Sequence, residues 1–214
     1  MFQKLFQNTR KPQGILGKIM VAGMNSGHAR LAQWGMQDLP QEMTGKLLDI
    51  GCGGGANLAV MLRRYPNGTA EGLDYSEISV AAAQKKNTVA VQAGRCRIQQ
   101  GDVAKLPYDA DCFDLVTAFE TVYFWPDMEQ SFRQVFRVLK PGGRFLICNE
   151  SDGENETETK WEEIIDGMKI YQAEELSDYL KKAGFSSVRF HRSESKHWLC
   201  VMAEKSVESE SAAR

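Results

Sequence analysis

From Lys46 onward, short runs of apolar and β-branched residues alternate with longer stretches in which apolar side chains recur at helical spacing. The runs predict strands at Lys46–Ile50, Thr69–Asp74, Arg95–Gln100, Asp114–Phe119 and Arg144–Glu150. Between them the pattern predicts helices at Asn57–Arg64, Ile78–Asn87 and Met128–Val138, the last stopped by Lys140-Pro141-Gly142-Gly143. Read together they suggest five βα units in succession, the pattern of a mostly parallel, doubly wound sheet with helices on both faces. A further helix at Ala173–Ala183 closes on Gly184, and strands at Val188–Arg192 and His197–Glu204 follow with few residues between them. These last two strands are expected to pair as an antiparallel hairpin at a sheet edge, making seven strands in all.

Ahead of the sheet, Ile15, Ile19, Leu31 and Trp34 recur at helical spacing between glycine breaks, which predicts one or two helices over the carboxyl edge of the sheet. The expected organisation is an N-terminal helical lid at 1–45, an α/β domain at 46–206 and a polar tail at 207–214.

Charge and cysteine usage narrow the function. Lys plus Arg number 26 against 28 Asp plus Glu, so no positive field draws a phosphate backbone, and nucleic acid is not expected as a partner. Apolar runs such as Phe145 to Cys148 fall far short of the roughly 20 residues needed to span a bilayer. Lys4, Arg10, Lys11 and Lys18 interrupt the first twenty residues, so no secretory core is read there and a cytoplasmic location is expected. Five cysteines at 52, 96, 112, 148 and 200 stand singly, a spacing that suggests neither a zinc site nor a disulfide framework.

The most informative stretch is Leu47-Leu48-Asp49-Ile50-Gly51-Cys52-Gly53-Gly54-Gly55-Ala56-Asn57, where a buried strand runs through glycines into a helix. Such a loop turns tightly and lets a nucleotide-like ligand approach backbone amides at a helix N-terminus. Nineteen residues after Gly55, Asp74 ends the next strand, where a carboxylate can accept hydrogen bonds from ribose hydroxyls. Gly51-x-Gly53-x-x-Ala56 also satisfies the dinucleotide fingerprint, so an NAD(P)-dependent oxidoreductase stays open at this point. Three features favour a different ligand. Asp49, two residues before the first glycine, would repel a pyrophosphate and welcome a cationic amino-acid end. Gly101-Asp102 puts a carboxylate within reach of an exocyclic adenine amine, and Leu139-Lys140-Pro141-Gly142-Gly143 marks the step from the fourth helix to the fifth strand.

With these motifs in order, the chain resembles the class I S-adenosylmethionine-dependent methyltransferases, especially the small-molecule branch related to the ubiquinone and menaquinone methylating enzymes. The likeness runs over 46–150 and includes Leu73-Asp74-Tyr75-Ser76, Gly101-Asp102-Val103 through Pro107, and Cys112-Phe113-Asp114-Leu115-Val116. It implies a Rossmann-like fold, S-adenosylmethionine as cofactor and a small-molecule methyl acceptor. It further implies that Asp49 and the loop residues Gly51, Cys52, Gly53, Gly55 and Asn57 hold the methionine moiety. On the same basis Asp74 holds the ribose, Tyr75 flanks the adenine, Asp102 bonds its amine and Val103 packs on its ring, Ser76 and Gly101 belong to the same cofactor site, and Glu120 and Thr121 line the cavity near the sulfonium. A cofactor-binding module without catalysis is the other alternative.

For the acceptor, Tyr123, Phe124 and Trp125 offer aromatic faces to a flat or cationic substrate, or else they pack the next helix. His28 and Tyr123 are the candidate catalytic side chains, with a capping or surface role as the alternative for His28. The acidic run from Glu150 to Glu158, with Glu162 and Glu163, either favours a cationic acceptor or is a solvated loop. His191 and His197 lie in the terminal hairpin and read as structural, and no metal is expected.

Overall fold

The computed structural model describes residues 28–155 and 160–207. Seven strands, β1 (Lys46–Ile50), β2 (Thr69–Asp74), β3 (Cys96–Gln100), β4 (Phe113–Phe119), β5 (Leu139–Asn149), β6 (Ser187–Arg192) and β7 (Leu199–Glu204), form one sheet in the order β3-β2-β1-β4-β5-β7-β6. The first five are parallel, and β7 runs antiparallel between β5 and β6. The expected hairpin is therefore present, but of its two strands only β6 lies at a sheet edge, since β7 inserts beside β5 and buries five of its six residues. β6 keeps Arg189, His191 and Arg192 on the rim, charged or polar groups that discourage further strand pairing.

The helices among the described residues are α1 (Ala29–Gly35), α2 (Ala56–Arg64), α3 (Glu77–Lys86), α4 (Thr88–Gln92), α5 (Met128–Val138), α6 (Lys160–Ile164) and α7 (Ala173–Ala183). Caps explain several boundaries. The Asp127 carboxylate accepts from the Gln130 amide at the start of α5, and Gln172 with Glu175 forms a capping box on α7, which ends at Gly184 in the left-handed region. Strand pleating sends Phe145 and Ile147 to one face, under α5 and α7, and Leu146 and Cys148 to the other, under α1 and α2. Both faces are thus covered by apolar layers, as the doubly wound pattern requires.

Three features differ from the sequence expectation. No helix follows β3; residues 101–112 form a loop that buries Val103 and Leu106 and is tied to α5 by Arg137, whose guanidinium donates to the carbonyls of Tyr108 (2.6 Å) and Leu106 (3.0 Å). Lys140 to Gly143 does not separate helix from strand but lies inside β5, where the register jumps from Phe113–Leu139 to Leu115–Arg144 and the Lys140 ammonium reaches Asp114 at 2.8 Å. The helix at 29–35 starts at the carboxyl edge but runs along the sheet face, with Gly35 against Cys148. Residues 1–27, most of the expected lid, and 208–214 of the tail lie outside the described residues.

Candidate cofactor cleft and acceptor mouth

The glycine loop hangs from the end of β2 by backbone bonds: the Leu73 carbonyl accepts from the amides of Gly51 (2.7 Å) and Cys52 (3.1 Å). Gly51 has φ +71 and Gly53 φ +51, left-handed values that side chains adopt at a cost. Their surroundings differ. A Cβ on Gly51 would overlap the Thr121 hydroxyl, whereas a Cβ on Gly53 would meet no atom of the described residues within 4 Å. Gly51 is therefore small because the fold closes on it, and Gly53 opens on a space that no described residue fills.

Asp74 locks this loop to the sheet. One carboxylate oxygen accepts from the Gly53 amide and the other from the Ser76 amide, each at 2.9 Å. Burial pushes its pKa up, and the two amide bonds work against that shift. Asp49 lies deeper, beneath the loop, and accepts from the Thr117 hydroxyl at 2.7 Å. Burial raises its pKa to about 7, with that hydroxyl opposing the shift and the nearby Asp74 charge adding to it.

A cavity of about 200 Å³ opens at the carboxyl ends of β1, β2, β3 and β4. Of the residues singled out from sequence, Gly51, Asp74, Tyr75, Gly101, Asp102, Val103, Thr121, Phe124 and Trp125 line it. Ile50, Leu73 and Pro126 line it too; the first two were legible as the residues just inside each strand's end, and Pro126 as the end of the aromatic run. Asp49, Cys52, Gly53, Gly55, Asn57, Ser76, Glu120 and Tyr123 are not in the wall. Cys52 is buried against Gly72, the Gly55 carbonyl accepts from Asn87, Ser76 caps α3 by accepting from the Ser79 amide, and Asn57 faces a separate surface depression with Arg63 and Arg64.

Beside Thr121 the walls turn polar. Glu120 adopts φ +59, a strained value for a side-chain-bearing residue, costing roughly 1–2 kcal/mol. The neighbourhood enforces it: the Glu120 amide donates to the Cys148 carbonyl at 3.0 Å, and its carboxylate accepts from the Glu150 amide and the Tyr123 hydroxyl. Tyr123 is buried, its oxygen accepts from the Ser151 amide at 3.0 Å, and burial holds its pKa well above the usual phenol value. Here His28 at the start of α1 arrives, with Nδ1 4.0 Å from Glu120 and Nε2 3.7 Å from Glu150. Burial lowers the His28 pKa while the Glu150 charge opposes the shift. These three side chains hold their ligand atoms within 4.8 Å of one another, an arrangement that would also accept a cation. Two described residues of the acidic run turn away: Asp152 faces His197 (3.4 Å) and Arg192 (4.0 Å), and Glu154 pairs with Arg192 (2.9 Å). Trp125 stacks on Phe145 and donates its ring N–H to Thr121, so it serves core and cavity together.

Comparison with known proteins gives a family match. A family model described as "Methyltransferase domain" matches residues 42–205. A cycloartenol-C-24-methyltransferase of Arabidopsis thaliana is 30% identical over 152 residues, covering 67% of this chain and 45% of its own length. The uncharacterised methyltransferase YdaC of Bacillus subtilis is 26% identical over 87% of this chain and 98% of its own. The chain thus spans under half of the plant protein and nearly all of the bacterial one. Among solved structures, a phosphoethanolamine N-methyltransferase of Haemonchus contortus, in complex with phosphomonomethylethanolamine and S-adenosylhomocysteine, superposes with a TM-score of 0.77 at 15% identity, covering 96% of this chain and 61% of that one. No described helix is long and apolar enough to cross a membrane.

Proposed function

Because this chain belongs to the methyltransferase-domain family, of the class I S-adenosylmethionine-dependent kind, we propose that it transfers a methyl group from S-adenosylmethionine to a small molecule whose hydroxyl or amine must first lose a proton. The observation that carries this reading is the adjacency of two unlike compartments: a cleft walled by Gly51, Asp74, Asp102 and Val103, and the His28–Glu120–Glu150 group beyond Thr121. The unfilled space over Gly53 and the Asp74 carboxylate at the cleft wall fit the cofactor. Bound there, S-adenosylmethionine supplies a methyl group already activated by its positive sulfur.

The protein's share is to orient, exclude water and move a proton. Asp74 holds a ribose while keeping Gly53 in place, Asp102 and Val103 meet the adenine, and Thr121 and Phe124 separate cofactor from acceptor. With its pKa lowered, the His28 imidazole is neutral near pH 7 and able to take the acceptor's proton; the imidazolium then lies between Glu120 and Glu150. Tyr123 stays a phenol and acts through Glu120, by donating to its carboxylate. Incubating the protein with methyl-labelled S-adenosylmethionine and fractionated metabolites tests the reading: label is expected in a small hydroxyl- or amine-bearing product, and label in no small molecule would refute it.

Two further outcomes follow from the titrating groups. Since the folded-state pKa of His28 lies below 6.5, activity should rise with pH through that lowered value and level off above it. His28→Ala should abolish this limb and slow turnover by about 100-fold, leaving cofactor affinity unchanged; an identical limb in the variant would remove His28 from the chemistry.

Asp49 gives the second. Its raised pKa means the folded empty chain binds more protons than the unfolded chain between pH 3.8 and about 7, so stability falls as pH rises through that window. A cationic amino-acid end held near it reverses the preference and expels the proton. Cofactor binding at pH 7 should therefore release roughly half a proton, read as a dependence of the calorimetric heat on buffer ionisation enthalpy. Asp49→Asn should erase that dependence, and its persistence would place the proton elsewhere.

A further inference from the structure

Away from the cleft, the C-terminal hairpin presents a second group of side chains. His191 on β6 and Cys200 on β7 are register partners, so the pleat sends both to the sheet face that α1 covers. The one-turn 3-10 helix after α1, Met36–Asp38, brings Asp38 over them. Cys200 Sγ donates to an Asp38 oxygen at 3.0 Å, and His191 Nε2 lies 3.5 Å from the same oxygen. The three ligand atoms fall within 4.8 Å of one another. A tetrahedral ion bound by one sulfur at about 2.3 Å and by nitrogen and oxygen near 2.0 Å needs ligand separations of roughly 3.3–3.6 Å. Binding requires the Cys200–Asp38 spacing to open by about half an ångström and the His191–Asp38 spacing to close by about 0.2 Å. The His191 ring is oriented from outside by Trp34, at 4.8 Å between centroids in an edge contact.

We propose that Asp38, His191 and Cys200 form a site for one zinc ion, which clasps the turn after α1 to the C-terminal hairpin. A thiolate and an imidazole with one carboxylate select a borderline-soft ion over magnesium or calcium. On binding, the Cys200 S–H bond breaks, a sulfur–zinc bond forms and the proton passes to solvent. The sulfur is buried and the imidazole half exposed, so the fourth position opens to water on the His191 side. The ion would pin one end of α1 while His28 stands at the other, near the acceptor mouth. The site shares no residue with the cofactor cleft, so it stands or falls independently of the methyl-transfer reading.

Cobalt(II) titration of the metal-free full chain tests the assignment. The expected result is a thiolate-to-metal charge-transfer band, with intense tetrahedral d–d absorption, that saturates at one equivalent and is displaced by zinc. Cys200→Ser should lose the charge-transfer band, and His191→Ala should weaken binding at least about tenfold. Cys148→Ser, altering the neighbouring register partner of Cys200, should keep the band. The His28, Glu120 and Glu150 group contains no sulfur and cannot produce that signal. Absence of the band in the unaltered chain, its loss in Cys148→Ser, or unchanged affinity in His191→Ala would overturn the proposal. Should Cys200→Ser fail to fold, the exposed His191 position decides alone.

Discussion

Replacing Asp74 by alanine should weaken S-adenosylmethionine binding by 100-fold or more while leaving the chain folded. The carboxylate does two jobs at once. In the empty cleft its oxygens accept from the Gly53 and Ser76 amides, joining the glycine loop to the start of α3. In the proposed complex it also accepts from the ribose. Hydrogen bonds to a charged group contribute about 1.5–3 kcal/mol each, so losing the ribose contact and the loop's preorganisation together costs about 3 kcal/mol, two decades in Kd. Folding should suffer less, because removing Asp74 also removes a charge that burial disfavours. Calorimetric titration with cofactor, alongside a thermal melt of the same preparation, checks both halves. Wild-type affinity in the Asp74→Ala variant would contradict the ribose assignment.

The second large effect separates two glycines only two positions apart. Gly51→Ala puts a methyl into the Thr121 hydroxyl at a left-handed φ. Overpacking at a site that cannot relax, with the backbone penalty, should cost about 3 kcal/mol, a fall in Tm of roughly 10 °C for a domain of this size. Gly53→Ala meets no atom of the described residues, so its stability loss should be confined to the backbone term, about 1 kcal/mol. Its methyl would instead occupy the space assigned to the cofactor, and affinity should drop at least about tenfold. The variants should thus fail in opposite ways, one in the melt and the other in the titration. Unchanged cofactor affinity in Gly53→Ala would mean that the open space over the loop is not where the cofactor sits.

Much of the frame could be read from the chain because local signals agreed with the global fold. β1, β2, α5 and α7 have the bounds that the apolar runs predicted, with Gly184 closing α7 as expected and Asp127 found to cap α5. What was not legible depended on tertiary contacts. Residues 101–112 alternate polar and apolar too irregularly for a helix and hold their course through Arg137 on α5. The insertion of β7 between β5 and β6 leaves no local trace, since a hairpin and an inserted strand share one antiparallel pattern. The cleft follows the same division. Gly51, Asp74 and Asp102 stand at strand ends within recognisable motifs, whereas His28, Glu120 and Glu150 meet across the sheet's carboxyl edge from three distant segments. Nothing near Glu120 in sequence announces its left-handed backbone, and nothing near Asp38 announces His191 and Cys200.

The account depends on what occupies the cleft over the glycine loop. Parallel calorimetric titrations of the unaltered chain with S-adenosylmethionine and with NAD+ address this directly, because both ligands suit a glycine loop followed by an acid at the end of β2. The predicted result is saturable one-to-one binding of S-adenosylmethionine at micromolar concentration, about 8 kcal/mol, with no heat from NAD+. Saturable binding of NAD+ without binding of S-adenosylmethionine would contradict it.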